Sequence, residues 1–188
     1  YFYITAPTGS IVLGEGAAWD GIGTASNPFK GHIRAGRYQP NPTDEMTNNT
    51  MAQTAGDQDT IIIKNGINGL FAYCDGATIE NIHVKGVINS SSGTDAGVEY
   101  GVTLGGICDF AKNTTFSHCT NNCTINSNIN GGSGVGGIVG AGINCNIDSC
   151  SNFGRITGNE LALGGLVGAL GGIGTVNFCF NVANINNA

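Results

Sequence analysis

The sequence is short of charge, and of positive charge most of all. Charged residues are 11% of 188, against ~25% in ordinary domains, and the seven Lys and Arg stand singly. A nucleic-acid partner wants a basic stripe, so scattered cations and a formal net charge of −6 argue against one. The acidic balance suits cation binding or, more simply, keeps a weakly charged surface soluble. Helical periodicity is missing over any long window, and 32 glycines would weaken helix interiors by ~1 kcal/mol each. No charged n-region, apolar h-region and cleavage site can be read at the start. Tyr1 stands where an initiator Met would be, so the expectation is a processed product or an excised piece, any signal peptide already gone.

What the chain has in quantity is glycine, asparagine and repetition. Val135-Gly136-Gly137-Ile138-Val139-Gly140 returns as Leu163-Gly164-Gly165-Leu166-Val167-Gly168, with fainter copies at Leu104-Gly105-Gly106-Ile107 and Gly69-Leu70-Phe71. Thirteen residues on from Gly69, Gly106 and Gly137 stand Ile82, Cys119 and Cys150. The fourth copy reaches Cys179 after 14, one residue having entered around Gly171-Gly172. Three residues before that column come Ile79, Phe116, Ile147 and Val176; six after it come Ile88, Ile125, Ile156 and Ile185.

Repeats of ~20–50 residues mean solenoids, propellers or arrays. The spacings of 31 and 28 from Gly106 to Gly137 to Gly165 are too short for a four-stranded propeller blade. Short β-branched clusters between Gly and Asn read as strands and turns. The expected fold is all-β: a parallel right-handed β-helix (β-solenoid) of about 28–31 residues per turn, its handedness following the parallel-crossover rule. Equivalent residues then stack ~4.8 Å apart. Ile82, Cys119, Cys150 and Cys179 form one inward column, where a buried thiol acts as a small hydrophobe. Asn121, Asn152 and Asn181 stack as an amide ladder, placed at a bend because Asn tolerates the left-handed conformation.

The last two copies, each followed by an apolar-x-x-Cys-x-Asn segment, resemble the GLUG repeat of bacterial cell-surface and secreted proteins, over roughly residues 66–188. The resemblance implies an extracellular β-helical segment, often part of a larger adhesin-like or protease polypeptide. It implies no catalytic residue, the motif being structural.

Taken in order, residues 1–28 read as an N-terminal cap and loop. Phe2-Tyr3-Ile4 and Ile11-Val12-Leu13 are its two strands, laid over the first turn so that no strand edge is left open. Trp19, the only indole, either stacks on a sugar or plugs the core, and the plug is the simpler reading. Residues 29–188 read as the solenoid: an irregular first turn with Phe29, Ile33 and Ile61-Ile62-Ile63, a polar insertion over 38–60, then regular turns over 66–188. The long insertion, with Tyr38, Asp44, Glu45, Asp57 and Asp59, and a shorter one from Asn89 to Tyr100, with Asp95 and Glu99, are the candidate binding surfaces. Leu161 to Ala188 carries no charge, yet its Asn-Phe-Cys-Phe-Asn run is too polar for a membrane span. No polar cap follows Ile185, so another domain or another molecule is expected on that end.

Seven cysteines, Cys74, Cys108, Cys119, Cys123, Cys145, Cys150 and Cys179, cannot all pair internally. Burial accounts for Cys108 and the three of the column, and a disulfide from Cys74 or Cys123 to a neighbouring turn is the alternative for those two. Zinc needs four converging ligands; Cys119-x3-Cys123 beside His118 lacks a second pair, so neither metal nor cofactor is expected. Polysaccharide-cleaving solenoids need paired carboxylates or an acidic calcium cluster on one face. Asp75, Glu80, Asp109, Asp148 and Glu160 do not fall into one column, and His32, His83 and His118 occupy unrelated positions. An ice-binding array is likewise disfavoured, because Thr78, Thr115, Asn146 and Thr175 lie beside the mixed column Glu80, Ser117, Asp148 and Asn177. The expected function is non-enzymatic: a stalk, adhesion or self-associating module of a surface protein. Its partners would be a glycan, a host or neighbouring surface protein, or a second copy end to end. The alternative is a polysaccharide-binding or polysaccharide-degrading β-helix.

Overall fold

The computed structural model describes residues 11–34, 60–97, 100–129, 131, 134–159 and 161–187. Among these every regular element is a strand, as expected of a chain whose apolar residues come in short β-branched groups between glycines. The strands make four sheets, parallel except at one edge, an arrangement compatible with a β-helix. The first sheet takes Ile11–Leu13, Thr60–Gly66, His83–Ser90 and Thr120–Ser127, then Ser151–Asn152 with Ile156–Gly158, then Phe180–Asn181 with Ile185–Asn187. The second holds Thr94–Asp95, Val102–Gly105, Gly134–Gly136 and Leu163–Gly164, and the third Phe71–Asp75, Cys108–Lys112, Val139–Ile143 and Val167–Gly171. The fourth holds His32–Arg34, Thr78–Glu80, Thr115–Ser117, Asn146–Asp148 and Thr175–Asn177.

The chain visits the sheets in that order on each full pass, so each pass lies on the one before. Phe116 pairs with Ile79 and Ile147, and Ile147 with Val176; Ile125 pairs with Ile88 and Ile156, and Ile156 with Ile185. These are the columns expected from the spacing. They line one continuous core, in which the large side chains of Phe71, Phe116, Ile79, Ile88 and Ile147 are sealed. The added residue of the last pass lies between Gly171, which pairs with Ile143, and Thr175, which pairs with Asn146.

Three expectations change. First, Ile11–Leu13 lies within the stack, pairing in parallel with Ile61–Ile63, and Ile33 pairs with Ile79. Parallel bridges from Trp19, Ile22 and Phe29 to Gly66, Phe71 and Cys74 carry the same kind of pairing through residues 11–34. Phe2-Tyr3-Ile4 lies outside the described residues.

Second, the asparagine ladder is not at a bend. Asn121, Asn152 and Asn181 sit in strands. Two corners ahead of the ladder carry left-handed residues in register: Asn81, His118, Ser149 and Phe178, at φ 52–54°, each just ahead of the thiol column, and Gly76, Asn113, Asn144 and Gly172 at the previous corner. There the backbone turns sharply while its neighbours stay in register.

Third, 28–31 residues per turn holds only at the end: Asn121 to Asn152 is 31 and Asn152 to Asn181 is 29, but Asn89 to Asn126 is 37. Most of the variation lies at one corner, where the chain runs from 66 to 71, 88 to 108, 125 to 139 and 156 to 167 between the first sheet and the third. From the third sheet to the thiol column the count is 11, 11, 11 and 12.

Candidate functional site

The interior chemistry starts with the thiol column. Cys119 and Cys150 are fully buried, and each accepts or donates along the stack: Cys119 N–H donates to Cys150 Sγ (3.4 Å), and Cys150 N–H to Cys179 Sγ (3.3 Å). All seven cysteines are free thiols, so the bridge considered for Cys74 or Cys123 is not formed. Burial pushes Cys123 up to about 12 and raises Cys108 and Cys145; the neighbouring Cys119 thiol and burial raise Cys150. A thiol held in that state is neither nucleophile nor ligand at neutral pH, and this column serves packing.

The asparagine column runs beside it. Asn121 Nδ2 donates to Asn152 Oδ1 (2.8 Å), and Asn152 Nδ2 to Asn181 Oδ1 (2.7 Å). The same nitrogens also donate within their own pass, to Cys123 O and Gly154 O, and Asn181 Nδ2 donates to Ala183 O. Across the core stand Gly106, Gly137 and Gly165. A Cβ at Gly106 would fall 2.5 Å from Asn121 Cγ, and one at Gly137 would fall 2.8 Å from Asn152 Cβ while striking the Gly165 carbonyl. The two halves of the sequence motif, the glycine pair and the later x-Asn, are thus the two sides of one contact.

Among the described residues, Asp109 is the one carboxylate sealed in this interior. Its Oδ1 accepts Gly69 N–H (3.0 Å) and Gly105 N–H (2.9 Å), and Thr94 Oγ1 donates to Oδ2 (2.8 Å). Burial raises its pKa to about 7 against those three donors. It fastens two glycine corners and the antiparallel strand Thr94–Asp95, and so is engaged in structure. Gly140 and Gly168 hold its register in the next passes, which hides this role from the repeat pattern.

Two of the sequence-picked binding residues, Trp19 and Asp95, lie among the described residues. Trp19 is half-buried against the core and its Nε1–H donates to Gly69 O (3.0 Å), the plug arrangement. Asp95 is exposed and its Oδ1 accepts Gly97 N–H within its own turn (2.9 Å). The insertion carrying it does not stand away from the body: Thr94–Asp95 is an edge strand, and Ala96 and Tyr100 pack on Tyr73 and Phe110. Tyr38, Asp44, Glu45, Asp57, Asp59 and Glu99 lie outside the described residues. Among the described residues no group of three or more His, Cys, Asp or Glu is placed to hold a metal ion, and no helix is long and apolar enough to cross a membrane.

What the structure brings together instead is the last layer. Strands Leu163–Gly164, Val167–Gly171, Thr175–Asn177 and Phe180–Asn181 with Ile185–Asn187 are the outer edges of all four sheets at once. The core columns surface there: Val176 is 42% and Ile185 37% exposed, whereas Ile147 and Ile156, one pass earlier, are at 0%. Phe178, Phe180 and Val182 are exposed beside them, and Phe153 meets Phe180 edge to face. The Asn181 side chain makes its bond within the pass but has no neighbour beyond it to receive its second Nδ2 proton. Sequence reasoning picked out this stretch through the uncharged run after Leu161. It missed that four strand edges coincide, since that depends on register. No family model, curated protein or solved structure matches the chain.

Proposed function

We propose that the chain is a non-enzymatic, extracellular segment of a right-handed β-solenoid of the GLUG-like kind. It serves as a stalk or adhesive module of a surface protein and associates through its last layer. The parallel columns support the solenoid, and the right-handed sense follows the usual rule for parallel crossovers. The resemblance of the glycine and Cys-x-Asn motifs supports the extracellular, surface-protein setting. Asp109, the acid an enzymatic reading would choose, is occupied by backbone donors, which favours the structural reading.

The observation that carries the function is the bared layer. Open parallel edges pair with other strands, and a contiguous exposed apolar patch marks an interaction surface. A rod that lengthens by adding layers needs such a face. The test is to append a copy of residues 160–188 after Ala188, which continues the 29-residue period. The extended chain should unfold at higher urea and bind less of an apolar dye. Unchanged midpoint and dye binding would overturn the proposal.

A further inference from the structure

We infer that the occupant of the last layer is another coil of the same repeat, carrying an asparagine in the register of Asn181, and not the layer of residues 11–34. This rests on the association face proposed above and names its partner. The amide ladder has a direction. Each Nδ2 donates toward the higher-numbered pass, Asn121 to Asn152 and Asn152 to Asn181. At its beginning Asn121 pairs across to Val84, an apolar side chain, and both Asn121 Nδ2 protons are already placed, on Asn152 Oδ1 and Cys123 O. Asn121 Oδ1 is already satisfied by Cys123 N–H (2.9 Å), and a carbonyl with one unused lone pair is tolerated in proteins. At its end the situation is the reverse. The group presented is an N–H, and orphaned buried N–H groups are rare. Whatever covers Asn181 must supply an acceptor there.

The first described layer, residues 11–34, does not. Ile11 pairs with Ile61, Ile61 with Val84 and Val84 with Asn121, so head-to-tail stacking would lay Ile11 over Asn181 and bury the proton unpaired. A repeat coil supplies Oδ1 at that point. It also suits two further positions. Gly165 has no Cβ, leaving the space that Gly106 and Gly137 leave for the glycine carbonyl of the following pass. Cys179 N–H meets the sulfur that Cys150 and Cys179 supply to the passes before them.

The experiment compares three full chains: the native one, one with residues 160–188 duplicated after Ala188, and one whose duplicate carries Asn181→Leu in the copy only. The readouts are urea midpoint, hydrogen exchange of the Asn181 side-chain amide, and sedimentation of the native chain over a concentration series. The asparagine copy should raise the midpoint above the leucine copy and slow exchange at Asn181 at least tenfold, and the native chain should sediment as a monomer. If the two copies stabilise and protect equally, the ladder does not select the partner and the inference falls, while the association face stands. If neither copy changes midpoint or dye binding, both fall. Self-assembly of the native chain through this face would also overturn the inference.

Discussion

Ile147 and Val176 belong to one column, as do Ile156 and Ile185, or Cys150 and Cys179, and in each pair the first is sealed while the second meets solvent. Residue type barely differs between the two passes. What differs is whether another pass lies beyond. In a globular domain burial follows from side-chain pattern within an element; here it follows from position in the stack, because each pass buries one face of its neighbour. The same substitution should therefore have different consequences in the two passes.

The largest difference is expected for an added charge. Cys150→Asp places an unpaired carboxylate in the core and should lower stability by several kcal/mol, whereas Cys150→Val should stay below ~1.5 kcal/mol. Cys179→Asp, half in water, should fall near the milder variant. Urea denaturation of the three decides it, and equal losses at 150 and 179 would break the comparison.

Next comes pH. The folded-state pKa of Asp109 is raised to about 7 from an ordinary 3.8, so the folded protein binds this proton more tightly than the unfolded chain. The stability it contributes is complete below about pH 4 and is lost as pH rises through about 7. Protonation at Oδ2 leaves Oδ1 free to keep both glycine N–H bonds. The urea midpoint should therefore decline between those limits, and Asp109→Asn, which keeps the acceptor at Oδ1, should flatten the decline. The last pass has Gly168 in this register and gives no such response.

A smaller contrast lies in the ladder. Asn152→Leu removes the acceptor for Asn121 and the donor for Asn181, and each buried group left unsatisfied costs about 1–3 kcal/mol. Asn181→Leu, in the exposed last pass, leaves one Asn152 proton and Ala183 O without their partner and should cost less than half as much in the same titration. The smallest effect is a gain. Phe178 is 89% exposed and held at φ 52°, where its column has Asn81, His118 and Ser149. Phe178→Asn should raise stability by up to ~1 kcal/mol, since bulky side chains are disfavoured in the left-handed region. A thermal melt that does not rise would show that Phe178 holds a contact beyond its own backbone.

Much of this was legible in the residues. The apolar, thiol and asparagine columns follow from spacing alone, because a parallel stack translates sequence register into contact. Residues 11–34 were not recognised as a layer, since 50 residues separate Ile11 from its partner Ile61 and the glycine motif is absent there. The bend was set at the wrong asparagines because Asn suits both a left-handed corner and an amide ladder; Asn144 does the first and Asn152 the second. Asp109 was named only as an acid an enzyme would use; its structural role escaped because a single irregular residue has no column, and its donors Gly69, Thr94 and Gly105 come from three separate segments.

The corner between the first and third sheets admits 5, 20, 14 or 11 steps of chain, and beyond it the columns of the third sheet keep their register. A pass can therefore take up added peptide there by a single in-frame insertion without displacing the columns that follow.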